Sequence, residues 1–324
     1  MKVLVTGAAG FIGSKLMYCL AERGDEVVGL DSMNDYYDVR LKEGRLQEFG
    51  AGSRFLRMNI ADKAALDALF AEERFDKVVN LAAQAGVRYS ITHPYTYLES
   101  NLTGFLNILE ACRNFGVKHL VYASSSSVYG LNTKVPYAEQ DKTDSPVSLY
   151  AATKKSNELM AHSYCKLYGI AMTGLRFFTV YGPWGRPDMA PMLFAKAICS
   201  GERIKVFNHG DMIRDFTYID DIVEGTMRAL DREPSPDGNG LPLRVYNIGC
   251  SNPVKLMDFI SELEQALGIE AKKEFLPMQA GDVYQTNADT SLLEREVGYK
   301  PHVRLHEGIG HFAQWYLSDK NPLR

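Results

Sequence analysis

The sequence contains few of the features that mark secreted or membrane proteins. Its five cysteines are scattered over 324 residues without a C-x-x-C motif, so we expect reduced thiols instead of a disulfide framework or a zinc cluster. No stretch approaches the ~18 apolar residues that a membrane helix needs. The amino-terminal MKVLVTGAAGFIG has one basic residue and reaches glycines too early for a signal peptide. We therefore expect a cytoplasmic protein that does not bind a membrane.

Clusters of positive charge are also missing. The formal net charge is −4, and no basic segment is interleaved with aromatic residues, which argues against nucleic acid as a partner. The histidines provide one helical pair, His302 and His306, with Glu307 and His311 nearby. A solvated helix face explains this pair better than a metal site, because no second group of ligands exists. We expect no metal.

The amino terminus contains the first functional motif. The β-branched run Lys2–Thr6 is followed by Gly7-Ala-Ala-Gly10-Phe-Ile-Gly13 and then by a helical apolar pattern. A strand, a glycine turn and a helix are the context that a dinucleotide fingerprint requires. Gly7 permits the tight turn, Gly10 lets the backbone approach a pyrophosphate, and Gly13 lets the helix pack against the strand. The helix amino terminus then offers unpaired N–H groups to the phosphates.

Asp31 ends the second predicted strand, 26–30, about twenty residues after the glycine turn. A carboxylate at this position binds the two hydroxyl groups of a ribose and repels a 2′-phosphate. The sequence therefore predicts NAD as the cofactor, in preference to NADP.

Alternating strand and helix patterns continue to about residue 178. We predict further strands at 55–58, 77–81, 119–123 and 171–177, with helices from 62, at 97–115 and at 150–168. This alternation indicates an α/β fold, a Rossmann-like doubly wound parallel sheet. Beyond 179 come a turn-rich loop, helices and a strand at 244–249. We expect a dinucleotide-binding domain, 1–178, and a smaller, mainly helical substrate-binding lobe, 179–324, with segments near 215–250 returning to the first domain.

Tyr150 and Lys154 are spaced four residues apart, so on a helix they lie on the same face. A phenol titrates near ~10, and an ammonium group a few ångströms away lowers that pKa by favouring the phenolate. Such a pair can remove a proton from an alcohol. By itself the pattern is also common on solvated helix faces. The serine run Ser124–Ser127 follows the fifth strand directly, where ligands bind in open parallel sheets, although serine runs also occur in flexible loops.

Taken together and in order, these motifs resemble the extended short-chain dehydrogenase/reductase family, and most closely its nucleotide-sugar 4-epimerases. The resemblance also includes Arg214-Asp-Phe-Thr-Tyr-Ile-Asp-Asp221 and spans nearly the whole chain. It implies that Tyr150 is the catalytic base, that Lys154 lowers its pKa and binds the nicotinamide ribose, and that Ser125 supplies the catalytic hydroxyl.

The resemblance also implies a set of cofactor contacts. Many relatives carry Asp where this chain has Asn59, but an amide oxygen can still accept a hydrogen bond from an adenine amino group. The implied NAD contacts are Gly7, Gly10, Phe11, Ile12, Gly13, Asp31, Asn34, Asn59, Ile60, Leu81, Ala82, Ala83, Gln84, Asn101, Tyr150, Lys154 and Phe178.

Within the family, the chain looks most like the UDP-glucuronate 4-epimerases, on the segments 84–90, 124–127, 175–186, 208–212 and 278–282. Arg214 resembles a ligand of the substrate diphosphate, for which its planar charged group is suited. A surface pair with Asp211 or Asp215 is the alternative. The implied substrate contacts are Arg88, Ser125, Ser126, Ser127, Tyr150, Thr179, Arg186, Arg214, Gln279 and Asp282.

The implied reaction is the reversible 4-epimerisation of UDP-glucuronate to UDP-galacturonate through a 4-keto sugar, with tightly bound NAD. UDP-glucose 4-epimerases generally carry Asn at the position of Thr179, and sugar-acid decarboxylases usually carry Glu in the serine run. These two activities and a non-catalytic NAD-binding regulatory protein remain the alternatives. The family also implies a homodimer formed by helices 97–115 and 150–168, whose apolar faces are equally explained by core packing.

Overall fold

A seven-stranded parallel sheet lies at the centre of the molecule. The computed structural model describes residues 1–279 and 281–324. Its strands are, in chain order, β1 Lys2–Thr6, β2 Glu26–Asp31, β3 Arg54–Arg57, β4 Lys77–Asn80, β5 His119–Ser125, β6 Ala171–Phe177, β7 Thr179–Tyr181, β8 Arg203–Val206, β9 Ile213–Tyr218, β10 Leu243–Ile248, β11 Pro253–Lys255 and β12 Lys272–Phe275.

The central sheet has the order β3-β2-β1-β4-β5-β6-β10. The first six strands give the arrangement 3-2-1-4-5-6 of the doubly wound dinucleotide-binding fold, so the predicted fold class is confirmed. The seventh strand, β10, comes from the second half of the chain and pairs with β6, Leu243 opposite Met172. Buried apolar side chains cover both faces of the sheet, which is why its strands read as continuous hydrophobic runs.

Helices connect these strands and surround the sheet. They are α1 Phe11–Glu22, α2 Val39–Phe49, α3 Lys63–Glu73, α4 Tyr89–Thr92, α5 Pro94–Tyr97, α6 Gly104–Phe115, α7 Leu149–Tyr168, α8 Ala190–Cys199, α9 Ile219–Asp231, α10 Leu256–Leu267, α11 Ser291–Val297 and α12 Leu305–Leu317. Among the described residues, none of these helices is long and apolar enough to cross a bilayer.

The helix predicted over 97–115 is not continuous. A π-helical segment, Leu98–Thr103, separates α5 from α6. Within it the backbone carbonyl of Asn101 accepts a hydrogen bond from the side chain of Asn157 (2.6 Å), and an outside donor of this kind competes with the regular helical ladder. Because π-helical turns frequently occur at functional sites, the loop that precedes this π-helical segment is a candidate part of the functional site.

The second half of the chain contains more strand than the sequence predicts. Strands β11, β9 and β7 form one small mixed sheet, and β12 and β8 form a parallel pair. The sequence missed β8 and β12 because each has only four residues and carries exposed lysine or arginine. The expectation of a mainly helical lobe is therefore incomplete, since two small sheets accompany its helices.

Candidate active site

A cleft of about 490 Å³ runs along the carboxyl ends of the central strands, within the usual size range of small-molecule sites. Most residues expected to bind cofactor or substrate line it. They are Gly7, Gly10, Phe11, Ile12, Gly13, Asp31, Asn34, Asn59, Ile60, Leu81, Ala82, Ala83, Gln84, Ser125, Ser126, Ser127, Tyr150, Lys154, Phe178, Thr179, Arg186, Arg214 and Asp282.

The glycine turn leaves no room for side chains. Gly7 has φ +70° and accepts a hydrogen bond from the Gly10 N–H (2.9 Å). A Cβ on Gly10 would lie 2.8 Å from the Gly7 carbonyl oxygen, and a Cβ on Gly13 only 2.2 Å from it. No side chain caps the amino terminus of α1, so its first N–H groups remain available to an anion. These features fit the diphosphate of NAD.

Asp31 lies at the end of β2 and is buried. Its carboxylate accepts hydrogen bonds from the N–H groups of Met33 (2.8 Å) and Ala9 (3.3 Å). The ammonium group of Lys42 lies 3.4 Å from Asp31 and 2.9 Å from the Asn34 side-chain oxygen. Sequence reasoning missed Lys42, because α2 has a largely polar sequence that resembles a solvated helix. A carboxylate at this point suits ribose hydroxyl donors, as NAD requires.

Asn59 also lines the cleft, but its side chain is already engaged. Its amide oxygen accepts the Ala61 N–H (3.0 Å), and its amide nitrogen donates to Glu99 (3.2 Å). An amide oxygen has two lone pairs, so one acceptor position remains for an adenine amino group.

Tyr150 and Lys154 lie in the first turns of α7. The helix begins at Leu149 because the Ser148 hydroxyl accepts the Ala151 N–H (3.1 Å), which is a standard amino-terminal cap. The Lys154 ammonium group is buried and donates to the Ala123 carbonyl (3.0 Å). Burial lowers the pKa of Lys154 to about 8.

The pKa of Tyr150 is raised from its ordinary value. Burial is the largest cause, and the nearby charge of Asp188 adds to it, whereas the Ser125 hydroxyl and the Arg186 charge oppose the rise. Ser125 and Arg186 are thus groups that favour the phenolate, and the effect of Lys154 on this pKa, which the sequence pattern suggests, remains a prediction.

The serine run forms a tight turn at the end of β5. The Ser125 hydroxyl donates to the Ser127 hydroxyl (3.1 Å) and accepts the Ser127 N–H (3.2 Å). Ser126 and Ser127 lie in a single 3-10 turn, Ser126–Tyr129, and Thr179, the first residue of β7, lines the same cleft. The turn therefore presents several hydroxyl groups and no carboxylate to one region of the cleft.

Arg186 forms a bidentate ion pair with Asp188, at 3.0 and 2.6 Å. The Tyr36 hydroxyl donates to the same carboxylate (3.0 Å). Burial raises the pKa of Asp188, but the charge and hydrogen bonds of Arg186, together with the Tyr36 hydroxyl, outweigh burial and leave the pKa lowered. Arg186 is thus fixed as a cation beside Tyr150. Sequence reasoning identified Arg186 but missed Asp188 and Tyr36.

Behind the serine turn lies a buried ion pair. Arg176 on β6 donates to both carboxylate oxygens of Glu158 on α7, at 2.8 and 2.9 Å. The Ser124 hydroxyl donates to Glu158 (2.7 Å), and Arg176 also donates to the Tyr129 hydroxyl (3.0 Å). The network joins α7, β5 and β6, so it fixes Tyr150 and Ser125 relative to each other.

Arg214 does not form the surface pair that was its alternative. Its guanidinium group donates to the backbone carbonyls of Val283 (2.6 Å) and Tyr284 (2.9 Å). Asp211 instead accepts the Tyr284 hydroxyl, and Asp215 accepts backbone N–H groups. Arg214 therefore lines the cleft as a cation without a carboxylate partner among the described residues.

Three expected site residues do not line the cleft. Asn101 is buried, and its side chain holds both backbone groups of Gln84, accepting the N–H (2.8 Å) and donating to the carbonyl (3.1 Å). Arg88 is exposed and pairs with Asp282 (3.1 Å). Gln279 does not line the cleft either; it is next to residue 280, which the structure does not describe. Their roles remain predictions.

The histidines near the carboxyl end make two separate contacts. His302 lies 3.0 Å from Asp221, and His306 lies 2.8 Å from Glu262. Within residues 1–279 and 281–324, no three potential ligands gather around a metal position.

Comparison with known proteins agrees with this geometry. Residues 3–249 match the model of the NAD dependent epimerase/dehydratase family. UDP-glucuronate 4-epimerase 4 of Arabidopsis thaliana is 51% identical over 328 residues, which cover 98% of this chain and 75% of that protein. An uncharacterized protein of Escherichia coli O111:H- is 54% identical, with 98% of both chains covered.

A solved structure gives the same result in three dimensions. The UDP-glucuronic acid 4-epimerase from Bacillus cereus, crystallised in complex with UDP-glucuronic acid and NAD, superimposes with a TM-score of 0.89 at 36% identity, covering 97% of this chain and 98% of that one. The chain belongs to the NAD dependent epimerase/dehydratase family, as a nucleotide-sugar epimerase that uses NAD.

Proposed function

We propose that this enzyme interconverts UDP-glucuronate and UDP-galacturonate by inverting C4 through a 4-keto sugar. The observation that carries the proposal is that the hydroxyl side chains of Ser126, Ser127 and Thr179 line the same cleft as the Arg186 cation, and that the serine turn itself contains no acidic residue. Hydroxyl donors and a cation suit a sugar carboxylate. The similarity to UDP-glucuronate 4-epimerases supports the same substrate.

The side chains of the cleft divide the work of the reaction. Tyr150 removes the proton of the C4 hydroxyl, and Ser125 binds the same oxygen. Bound NAD supplies the reversible exchange of hydride at C4. Tyr150 returns the proton after the sugar presents its other face. Arg214 holds the diphosphate as the sugar turns, which suits a guanidinium group with no carboxylate partner.

The carboxylate creates a hazard during this reaction. A 4-keto glucuronate is a β-keto acid, and it loses CO₂ readily when the bond from C5 to the carboxylate aligns with the ketone π system. Hydroxyl groups can hold the carboxylate away from that alignment through charge-assisted hydrogen bonds, without supplying an acid or a base. Thr179 is the member of this set that lies on a strand, β7, which makes it the best-fixed donor. Satisfying local backbone groups at the strand end is its alternative role.

Thr179→Val is therefore expected to slow epimerisation and to release a measurable fraction of UDP-4-keto-pentose and CO₂. The two side chains have nearly the same shape, so the variant removes the hydroxyl alone. NMR of the products of UDP-glucuronate measures both outcomes. Thr179→Ser retains the hydroxyl and is the matched control. UDP-glucose lacks the carboxylate and should be a poor substrate of the parent; equal rates on both sugars, with no CO₂ from the valine variant, contradict the proposal.

We further propose that two copies associate through α6 and α7. These adjacent helices expose Leu106, Leu159 and Leu167 to solvent, with Leu159 and Leu167 more than half exposed. Exposed apolar side chains on neighbouring elements are typical of an interface between subunits. Sedimentation of the parent should give the mass of a dimer, and Leu159→Glu should reduce it to that of a monomer; a monomeric parent contradicts the proposal.

A further inference from the structure

Arg45 lies on α2 with its side chain completely buried against the glycine turn. One of its terminal nitrogens donates to the carbonyl of Ala9 (3.1 Å), which lies between Gly7 and Gly10, and to the Tyr37 hydroxyl (2.7 Å). Arg45 therefore contacts the turn that receives the diphosphate of the cofactor.

The other side of the same guanidinium group holds a second loop. Its Nε and second terminal nitrogen donate to the carbonyl of Trp184, at 3.0 and 2.7 Å, and the latter also reaches Gly185 (3.4 Å). Trp184 has φ +65°, a backbone conformation that is costly for a bulky residue and needs support from its surroundings. Arg186 follows directly, so one side chain connects the cofactor turn to the segment that carries Arg186.

The charge of Arg45 has no anionic partner within the described part of the chain. Three other buried cations around the cleft do have one: Lys42 lies against Asp31, Arg176 against Glu158 and Arg186 against Asp188. Lys154, like Arg45, donates to a backbone carbonyl instead. Arg45 has only carbonyl and phenol oxygens. A buried charge without a countercharge is costly, and an anion nearby relieves that cost.

We propose that Arg45 is a positioning residue that couples NAD binding to the Trp184–Arg186 loop. The diphosphate of NAD is the anion that the adjacent glycine turn accommodates, so it supplies the countercharge that Arg45 lacks. The same guanidinium group fixes the loop that aims Arg186 at the sugar. Filling the cofactor site thereby stabilises the arrangement of the substrate side.

A purely structural role predicts something different. If Arg45 acted only through its hydrogen bonds, it would stabilise the protein equally with and without NAD. If the NAD diphosphate is its countercharge, Arg45 should stabilise the protein more when NAD is bound. Two measurements separate these roles, the affinity for NAD by calorimetry on cofactor-stripped protein and the thermal midpoint with and without saturating NAD. Neither depends on which sugar is the substrate, so they stand if the proposed substrate is wrong.

Three variants make the comparison. Arg45→Met removes the charge, Arg45→Lys retains it without the planar fork, and Leu41→Ala damages the same helix at a fully buried apolar position. We expect Arg45→Met to bind NAD at least about tenfold more weakly, which corresponds to about 1.4 kcal/mol, and to gain less in thermal midpoint from NAD. Arg45→Lys should bind NAD nearly as the parent does. Leu41→Ala should lower the midpoint by the same amount in both states.

The link to Arg186 is tested by kinetics at saturating NAD. Arg45→Lys should lower kcat because the Trp184 carbonyl loses its two donors. The double variant, Arg45→Lys with Arg186→Ala, should be hardly slower than Arg186→Ala alone, since both changes act through one group. If Arg45→Met binds NAD as tightly as the parent and loses the same amount of thermal midpoint with and without NAD, the diphosphate is not the countercharge of Arg45. If the effects of Arg45→Lys and Arg186→Ala on kcat are fully additive, Arg45 does not act through Arg186.

Discussion

Tyr150→Phe should lower turnover by about 10²–10⁴-fold, the range expected when an acid–base group is lost, while the enzyme still binds NAD. The phenol lies in the cleft and can exchange a proton with a sugar hydroxyl, and phenylalanine preserves its ring against Tyr97 (6.1 Å between centroids). Rates of epimerisation and the NAD content of the purified variant provide the two measurements.

Tyr97→Phe is the matched control for this experiment. Tyr97 packs against Tyr150, but its hydroxyl donates to the backbone carbonyls of Ala85 and Gly86, and Tyr97 is not among the residues that line the cleft. Its loss should reduce stability by about 1 kcal/mol and leave turnover near that of the parent. Near-normal epimerisation by Tyr150→Phe would show that another group moves the proton.

The parts of the fold that the sequence predicts are those that depend on local pattern. Buried parallel strands need apolar residues on both faces, so β1 and β6 could be bounded from composition alone. The glycine turn was equally predictable, because only a residue without a Cβ fits beside the Gly7 carbonyl. Asp31 followed from its place at the end of β2. Each of these inferences uses residues that are close in sequence.

The parts that the sequence does not predict depend on contacts between distant segments. Lys42 and Arg45 belong to α2, whose polar composition resembles that of a solvated helix, yet both side chains are buried, because Asn34 and the Trp184 backbone supply oxygen partners to them. The groups that act on Tyr150 are another example. The four-residue spacing suggested Lys154, whereas only the folded chain shows that Arg186, from a later loop, also acts on Tyr150.

The buried ion pair of Glu158 and Arg176 leads to the largest expected effect on stability. Both side chains are more than nine-tenths buried, and two hydrogen bonds join them. Removing one member of such a pair leaves a buried charge uncompensated, which typically costs about 3–5 kcal/mol. Glu158→Gln keeps the shape of the side chain but not its charge, so we expect a loss in the free energy of unfolding of that order, measured by urea denaturation at pH 7.

An exposed ion pair on α9 is the matched control. Glu224 and Arg228 are joined at 2.6 Å, but their side chains are 40% and 47% exposed, so Glu224→Gln should change the free energy of unfolding by less than about 1 kcal/mol. The buried pair should also respond to acid. Burial raises the pKa of Glu158, yet Arg176, together with Ser124 and Lys155, outweighs burial and leaves this pKa lowered.

A carboxylate whose pKa is lowered by folding adds stability above its unfolded pKa, about 4.3 for glutamate, and loses that contribution as the pH falls through its folded value. The difference in stability between the parent and Glu158→Gln should therefore shrink below about pH 4. Equal losses for the two variants at pH 7 would mean that the buried pair stabilises the fold no more than an exposed one. Because Glu158 lies one turn beyond Lys154 on α7, the same substitution should also lower turnover at temperatures where the variant remains folded.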